Sequence, residues 1–537
     1  MPQALRCPDV DALSVYDNRA ATYTKLLRFD QALKDARQMI KQDKKDERGY
    51  LRGAKALLLD GKPEKALEVY AYALKSLAKD NPRRQVAEQM HAKLHDKLVS
   101  KCYDPFNVFP LEIATMVLDH FDFKEIVAIL RVSKGWDRFL SSTHHLWLHL
   151  DLSRARSKIH WSAVLAYIRR SKAMLTQAIV TNLTKASVPK VLDYISRCPN
   201  LQHLEILTPC PHDRIFELFK GCKKLEVLLV SAETTVPQAT IIRLLSSLPN
   251  LQRIEIHKTT KSTRTSDTNW PSSLPNLKSI TLGTTEPEAG ANYISALYIP
   301  RPIESTPFAL SNLTEICLHS NPQIFVPYPP SFNPADFPHL LKLDITGIFV
   351  PDHFALPSSL EYLRIRGGAS PGPTPFGIAH DEEGTPAPLN LPKLTTLILS
   401  DVPWVNHLTL FTFIEIAKAP LDVLHIDGCF RVAAEQANLF PVFHGMVACM
   451  LSLSTLNVAH LNAADDSTVA GLIEAMPTLK VLNVSYTPIT GVAIKRLADA
   501  RADEGKASVE CVYVKGCEEV SSDAVEYGRS KGLVVIT

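Results

Sequence analysis

The chain has 537 residues, 46% apolar and 21% charged, which is enough for two to four domains or one long repeat array. Its net charge of +3 argues against a protein built wholly for nucleic acid. The charge is uneven: residues 1–103 carry 21 Lys/Arg against 14 Asp/Glu, and residues 104–153 carry 4 against 7. The basic amino-terminal segment could favour an acidic partner, but a solvated helical surface explains it as well. Ten scattered cysteines with no CxxC pair point to a reduced compartment. The start, MPQALRCPDV, has no signal-peptide core, and no stretch approaches the ~18 uninterrupted apolar residues of a membrane span. The expected location is the cytosol or the nucleus.

The first elements are helices that repeat. Residues 18–40 and 51–74 match at an offset of 34: Ala20 with Ala54, Ala32 with Ala66, Leu33 with Leu67, and Ala36 with Tyr70. Small residues recur where helices must approach closely, and large ones where a neighbour packs. Gly61-Lys62-Pro63 breaks the chain between two helices, with Pro63 placed for a first turn. Residues 83–103 form an amphipathic capping stretch. Residues 1–103 thus resemble tetratricopeptide (TPR) repeats. They lack the usual large residue early in each unit and the closing proline, with Lys44 and Ala78 in its place. The resemblance implies a groove for a peptide or partner protein. A spacer that only orients its neighbours is the alternative.

Residues 104–153 form a short helical module. Pro110 and Glu112 suit a helix start, and Ile113, Val117 and Phe121 make one apolar face. Ile126, Ile129 and Leu130 mark a second helix, and Trp136, Phe139 and Leu140 a third; Leu146 and Trp147 close the module. A module of about 45 residues buries this much apolar surface poorly alone, so a partner should cover some of it. The stretch Phe109-Pro110-Leu111-Glu112-Ile113, with Val117, Phe121, Ile126, Leu130, Val132-Ser133-Lys134, Trp136 and Leu146-Trp147, resembles an F-box. Phe109 replaces the family's leucine. The resemblance implies that Phe109, Pro110, Leu111, Glu112, Ile113, Val117, Phe121, Ile126, Leu130, Val132, Trp136, Leu146 and Trp147 bind the Skp adaptor of SCF ubiquitin ligases. Through it they would reach the cullin and RING subunits.

From 154 to 537 one phrase recurs. Leu-x-x-Leu-x-Leu cores, with other apolar residues at some places, begin at Leu201, Leu225, Leu251, Leu277, Leu313, Leu340, Leu360, Leu394, Leu421, Leu453, Leu479 and Val509. Helical patterns lie between many of them. This resembles a leucine-rich-repeat solenoid, one strand and one helix per turn, hence a horseshoe. Late repeats such as residues 514–528 are similar to the cysteine-containing subtype. Residues 259–273, polar, and 367–388, rich in Gly and Pro, read as loop insertions.

No catalytic motif stands out. Cys198, Cys210, His212 and Cys222 fit no zinc spacing. Cys198 and Cys222 stand three residues before Leu201 and Leu225 and read as core. His144-His145 reads as a solvated turn. No metal or cofactor is expected, and no enzyme chemistry. Contacts to a protein substrate should come from the concave strand positions: His203, Glu205, Arg253, Glu255, Lys342, Asp344, Tyr362, Arg364, Arg366, His425 and Asp427. Their mixed charge suits a protein surface better than nucleic acid.

The expected fold is multidomain: α-helical TPR-like repeats, a short helical F-box, then an α/β leucine-rich-repeat horseshoe. This order is similar to fungal F-box proteins that serve SCF ubiquitin ligases as substrate receptors. The resemblance implies a non-catalytic receptor and favours the nucleus. A scaffold without ligase function is the alternative.

Overall fold

Alanines at helix crossings and leucines at strand centres build two different kinds of array. We describe them from a computed structural model. It describes residues 11–537 apart from 79–80, 82, 100–108, 263–268, 287–293, 303–309, 322–325, 327–328, 330–331, 351–354, 369–378, 381–385, 388, 435–437, 447–449 and 503–508. The chain falls into two compact units, residues 1–120 and 121–537.

The first unit is helical: α1 (Ala12–Lys25), α2 (Phe29–Gln42), α3 (Glu47–Leu59), α4 (Pro63–Ser76), α5 (Arg84–Val99) and α6 (Leu111–Leu118). From α1 to α5 each helix packs on the next. Asp11 caps α1 and Asp46 caps α3 by accepting from backbone N–H groups, and Pro63 opens α4. Ala20, Ala32, Ala36, Ala54 and Ala66 are all buried, as the 34-residue offset requires of close crossings. Tyr50 and Tyr70 fill the wider gaps. The Arg19 guanidinium donates two hydrogen bonds, of 2.7 and 2.6 Å, to the buried Asp35 carboxylate. Arg52 does the same to Asp17 at 2.6 and 3.0 Å. These forks tie α1 to α2 and α3.

One position breaks the internal symmetry. Gly61 turns the chain between α3 and α4 with φ of +72°, and its counterpart one repeat earlier is Leu27, with φ of +58°. Leucine is strained there, and its exposed side chain gains little packing in return. Leu27→Gly should therefore stabilise the helical unit by about 0.5–1 kcal/mol, read as a higher thermal midpoint. A lower midpoint would show that Leu27 packs more usefully than its exposure implies.

The second unit opens with α7 (Phe123–Ile129) and α8 (Lys134–Ser142). A reciprocal Asp122–Glu125 capping box starts α7, and Ser133 caps α8. A 3-10 turn, His144–Trp147, leads directly into a parallel sheet of fifteen strands. In order these are His149–Asp151, Gln177–Val180, His203–Ile206, Val227–Val230, Arg253–Ile256, Ser279–Thr284, Glu315–Ser320, Lys342–Thr346, Tyr362–Arg366, Thr396–Ser400, Val423–His425, Thr455–Asn457, Val481–Asn483, Cys511–Tyr513 and Val534–Ile536. Sequence neighbours are sheet neighbours throughout, so the chain advances one strand per turn. Leu204, Leu228, Ile254, Ile280, Ile316, Leu343, Leu363, Leu397, Leu424, Leu456, Leu482 and Val512 align in register and are all buried.

The outer layer changes along the array. Helices Trp161–Arg170, Val188–Ser196, His212–Phe219 and Gln238–Ser247 cover the early repeats. Asp466–Ala475, Gly491–Ala502 and Ser522–Ser530 cover the late ones. Between Thr284 and Thr396 the described residues hold no α-helix, only the 3-10 turn Pro334–Asp336. Among the described residues, one strand and one helix per turn thus fails in the middle. Eighteen of the 37 prolines fall between residues 285 and 395, and each removes a backbone donor and restricts its predecessor. The 20-residue step from Leu340 to Leu360 also leaves little length for a helix.

The stretch 259–273 begins as structure rather than as a loop. Thr259–Thr260 pairs with Val236–Pro237, and the buried Thr259 hydroxyl lies 2.9 Å from the Gly283 carbonyl oxygen and 2.7 Å from that of Ala296. Residues 263–268 lie outside the described residues. In 367–388, Ala379–His380 pairs with Pro386–Ala387, and most of the remainder lies outside them.

Candidate protein-interaction surfaces

Two surfaces answer to the residues singled out in the sequence. The F-box-like stretch is divided between the units, with α6 in the first and α7 and α8 in the second. On and just before α6, Phe109, Leu111, Ile113, Met116 and Val117 are each 43–63% exposed, whereas Ala114 and Leu118 are buried. Pro110 and Glu112 are exposed beside them. An eight-residue helix with this much apolar side chain in water is unusual, which makes it a candidate interaction surface. Met116 was not among the residues selected from the sequence. Its place three residues beyond Ile113, on the same side of a helix, was the available signal.

In the second unit the nominated residues separate by depth. Phe121 and Val132 are exposed; Leu130, Trp136 and Leu146 are half-buried; Ile126 and Trp147 are buried. Ile126 and Trp147 are therefore interior packing, not open surface. The Trp147 indole N–H donates to the Leu140 carbonyl at 2.8 Å. Its ring stacks on Tyr167, with centroids 5.7 Å apart and planes at 7°, and Phe123 meets both rings edge-on. The Arg170 guanidinium lies 5.1 Å from the indole ring. Arg170 also donates to the Ser141 hydroxyl at 2.8 Å and to Asp137 at 3.2 Å. His144 is not a merely solvated turn residue, since its Nδ1 lies 2.7 Å from the Arg170 carbonyl oxygen. This cluster fixes α7, α8 and the 3-10 turn to the first helix of the solenoid, Trp161–Arg170.

The second surface is the half-exposed face of the sheet. Register places His203, Val227, Arg253, Ser279, Glu315, Lys342, Tyr362 and Thr396 in one row. Glu205, Leu229, Glu255, Thr281, Cys317, Asp344, Arg364, Ile398 and His425 form the next. Lys342, Asp344, Tyr362 and Arg364 come together on adjacent strands: Arg364 pairs with Asp344 at 3.4 Å, and the Lys342 ammonium lies 5.5 Å from the Tyr362 ring centroid. Arg366 reaches Asp401 at 3.7 Å. Asp427 accepts from Ser400 and Asn457, each at 3.0 Å. His425 is separated from Arg364 by the Ile398 strand, and burial lowers its pKa. His203 and Glu205 sit 2.7 Å apart several strands away. Glu255 is buried and already engaged by Arg253 and His257, so it offers little to a partner. Its hydrogen bond with His257 is the main cause that holds its pKa below the usual carboxylate value.

The sequence reading missed two features of this face. His257 and His319 stand six residues after Leu251 and Leu313, and Gly283 lies between them at the same offset from Leu277. The two rings meet over that glycine, with Nδ1 of His257 3.2 Å from Nε2 of His319. A Cβ on Gly283 would stand 2.3 Å from His319 Nε2, so the meeting requires glycine. Burial, and next the neighbouring His257, pull the His319 pKa down to about 4. The other missed feature is an aromatic pair, His460 and Tyr486, in the turns beyond the later strands.

Cys198 and Cys222 are buried, and burial pushes the Cys222 thiol up to about 11. Cys429 and Cys517 donate to the Leu399 and Val484 carbonyls, each at 3.1 Å. Among the described residues no group of three or more His, Cys, Asp or Glu is placed to hold a metal ion.

No family model matches the chain. The F-box/TPR repeat protein pof3 of Schizosaccharomyces pombe is 23% identical over 569 residues, covering 97% of this chain and 90% of that protein. The small glutamine-rich tetratricopeptide repeat-containing protein 2 of Saccharomyces cerevisiae is 48% identical over 59 residues, 11% of this chain and 17% of that protein. Among solved structures, the yeast Rad7 and Elc1 complex contains a chain that aligns with a TM-score of 0.37 at 15% identity, covering 86% of this chain and 98% of that one. The full-length likeness and the TPR match support the reading of this chain as an F-box/TPR repeat protein of fungal type.

Proposed function

We propose that the chain is the substrate-recognition subunit of an SCF-type ubiquitin ligase. The F-box-like stretch docks on a Skp-type adaptor, and the half-exposed face of the sheet holds the protein substrate. The chain supplies no chemistry. It raises the local concentration of substrate lysines near a charged conjugating enzyme. The observation that carries this reading is α6, whose Leu111, Ile113, Met116 and Val117 stand in solvent directly after Phe109-Pro110. The full-length likeness to an F-box/TPR repeat protein supports it.

Binding to a purified Skp-type adaptor tests it. The wild-type chain should bind, and Ile113→Asp/Met116→Asp should weaken binding about a hundredfold or more, because each change sets a charge against an apolar interface. The helical signal of the variant should stay unchanged, since both side chains are already exposed. Absence of binding by the wild-type chain would sink the ligase reading.

A further inference from the structure

The turn after each strand repeats along one edge of the half-exposed face. Seven residues beyond the first apolar residue of successive cores stand Asp401, Gly428, His460, Tyr486 and Gly516. All five are left-handed, with φ of 55°, 69°, 61°, 58° and 69°. Glycine suits that conformation and aspartate and histidine tolerate it, but tyrosine is strained in it. Strain kept at an exposed position points to a use.

His460 and Tyr486 are both exposed, and their rings stack with centroids 4.5 Å apart and planes at 9°. The Tyr486 ring then runs over Gly516, where a Cβ would stand 2.4 Å from it. One repeat before His460, the Asp401 carboxylate leans over Gly428, its Oδ1 2.4 Å from where a Cβ would be. The turns are direct neighbours: the N–H groups of Asp401, Gly428, His460 and Tyr486 donate to the carbonyls of Asp427, Ala459, Ser485 and Lys515 at 2.8–3.0 Å. Along the row of turns the Asp401 carboxylate, seated over Gly428, is therefore followed by the His460–Tyr486 stack. The charged neighbours are Arg366, 3.7 Å from Asp401, and Asp427, held by Ser400 and Asn457. Arg431 and Lys515 stand exposed on the flanking turns.

We propose that the Asp401 carboxylate and the His460–Tyr486 stack together take an arginine side chain of the bound protein. The guanidinium lies flat against the His460–Tyr486 stack, and its N–H groups reach the Asp401 carboxylate. Arginine alone among the side chains joins a flat, weakly hydrated face to a fork of charged donors. Lysine lacks the plane, and a neutral ring leaves the carboxylate without a gained partner. The proposal rests on the reading of this face as the substrate surface and names a side chain it recognises.

Saturation-transfer NMR on the full chain, with the peptide N-acetyl-Gly-Arg-Gly-amide as probe, tests it. The arginine methylenes should receive saturation. The signal should fall about tenfold for the citrulline peptide, for Asp401→Asn and for His460→Gly/Tyr486→Gly. The double glycine variant should unfold at the wild-type temperature or above, because glycine suits both turns and relieves the strained one at Tyr486, so a lost signal is not lost fold. An equal signal from citrulline, a signal that survives in the double variant, or none from the wild type would overturn the proposal. Adaptor binding is read on the same samples. Its absence alongside a retained arginine signal would sink the ligase reading alone.

Discussion

Trp147→Ala should destabilise the second unit by about 3–5 kcal/mol, the range for truncating a buried aromatic side chain. The indole is interior, and three contacts converge on it: Tyr167 stacked, Phe123 edge-on and the Arg170 guanidinium. Alanine leaves a cavity among them and takes from the Leu140 carbonyl one of the two hydrogen bonds it accepts. Trp147→Phe keeps much of the stack and loses the N–H, so about 1–3 kcal/mol is expected, combining the lost hydrogen bond with reduced packing. Urea denaturation followed by circular dichroism measures both. The early part of the solenoid should melt first, because repeat arrays depend on nearest neighbours. Adaptor binding should weaken in Trp147→Ala even though Trp147 faces no partner, since the cluster sets the pose of α7 and α8. A loss of less than about 1 kcal/mol would show that the cluster is ornamental rather than structural.

Acid should weaken the solenoid through His319. Its folded pKa of about 4 lies below the ordinary histidine value of about 6.5. Between those values the unfolded chain binds a proton that the folded chain refuses. Stability is therefore full above pH 6.5 and falls as pH drops toward 4, by up to about 3 kcal/mol for this group. Glu255, whose folded pKa is lowered, adds loss in the same direction at lower pH. Arg253 pairs with Glu255, and His257 faces His319 directly. Urea midpoints at pH 7, 5.5 and 4.5 should fall steadily for the wild type and much less for His319→Gln. Parallel slopes for the two proteins would remove His319 as the cause.

Most of the array was legible because its signal is periodic. The twelve cores from Leu201 to Val509 each mark a strand of the sheet. Three strands escaped notice for separate reasons. Gln177–Val180 places the small Ala178 where other repeats place leucine. His149–Asp151 follows Trp147, which occupies both the end of the F-box-like module and the first place of a repeat core. Val534–Ile536 is a three-residue strand with the first and last residues exposed. The helical unit was legible in its alanines, whose burial follows from an offset visible in the chain. The surfaces were less so. Alternation correctly put Lys342, Asp344, Tyr362 and Arg364 on one face, but it could not show that Glu255 is spent on its own neighbours. Depth in a three-dimensional cluster, as for Ile126 and Trp147, has no linear signature. Nor does backbone handedness, which alone distinguishes His460 and Tyr486 from ordinary turn residues.

The change of outer layer between Thr284 and Thr396 has a geometric consequence. Neighbouring strands sit about 4.8 Å apart whatever lies behind them. A helix behind a strand needs about 10 Å, whereas an extended or 3-10 segment is thinner. A helix-bearing repeat is thus a wedge, and a helix-free repeat is closer to a parallel-sided brick. Repeats whose described residues hold no outer helix should therefore add less bend to the array than repeats that hold one. Lys342, Asp344, Tyr362 and Arg364 stand among the former. The turns of His460 and Tyr486 stand among the latter.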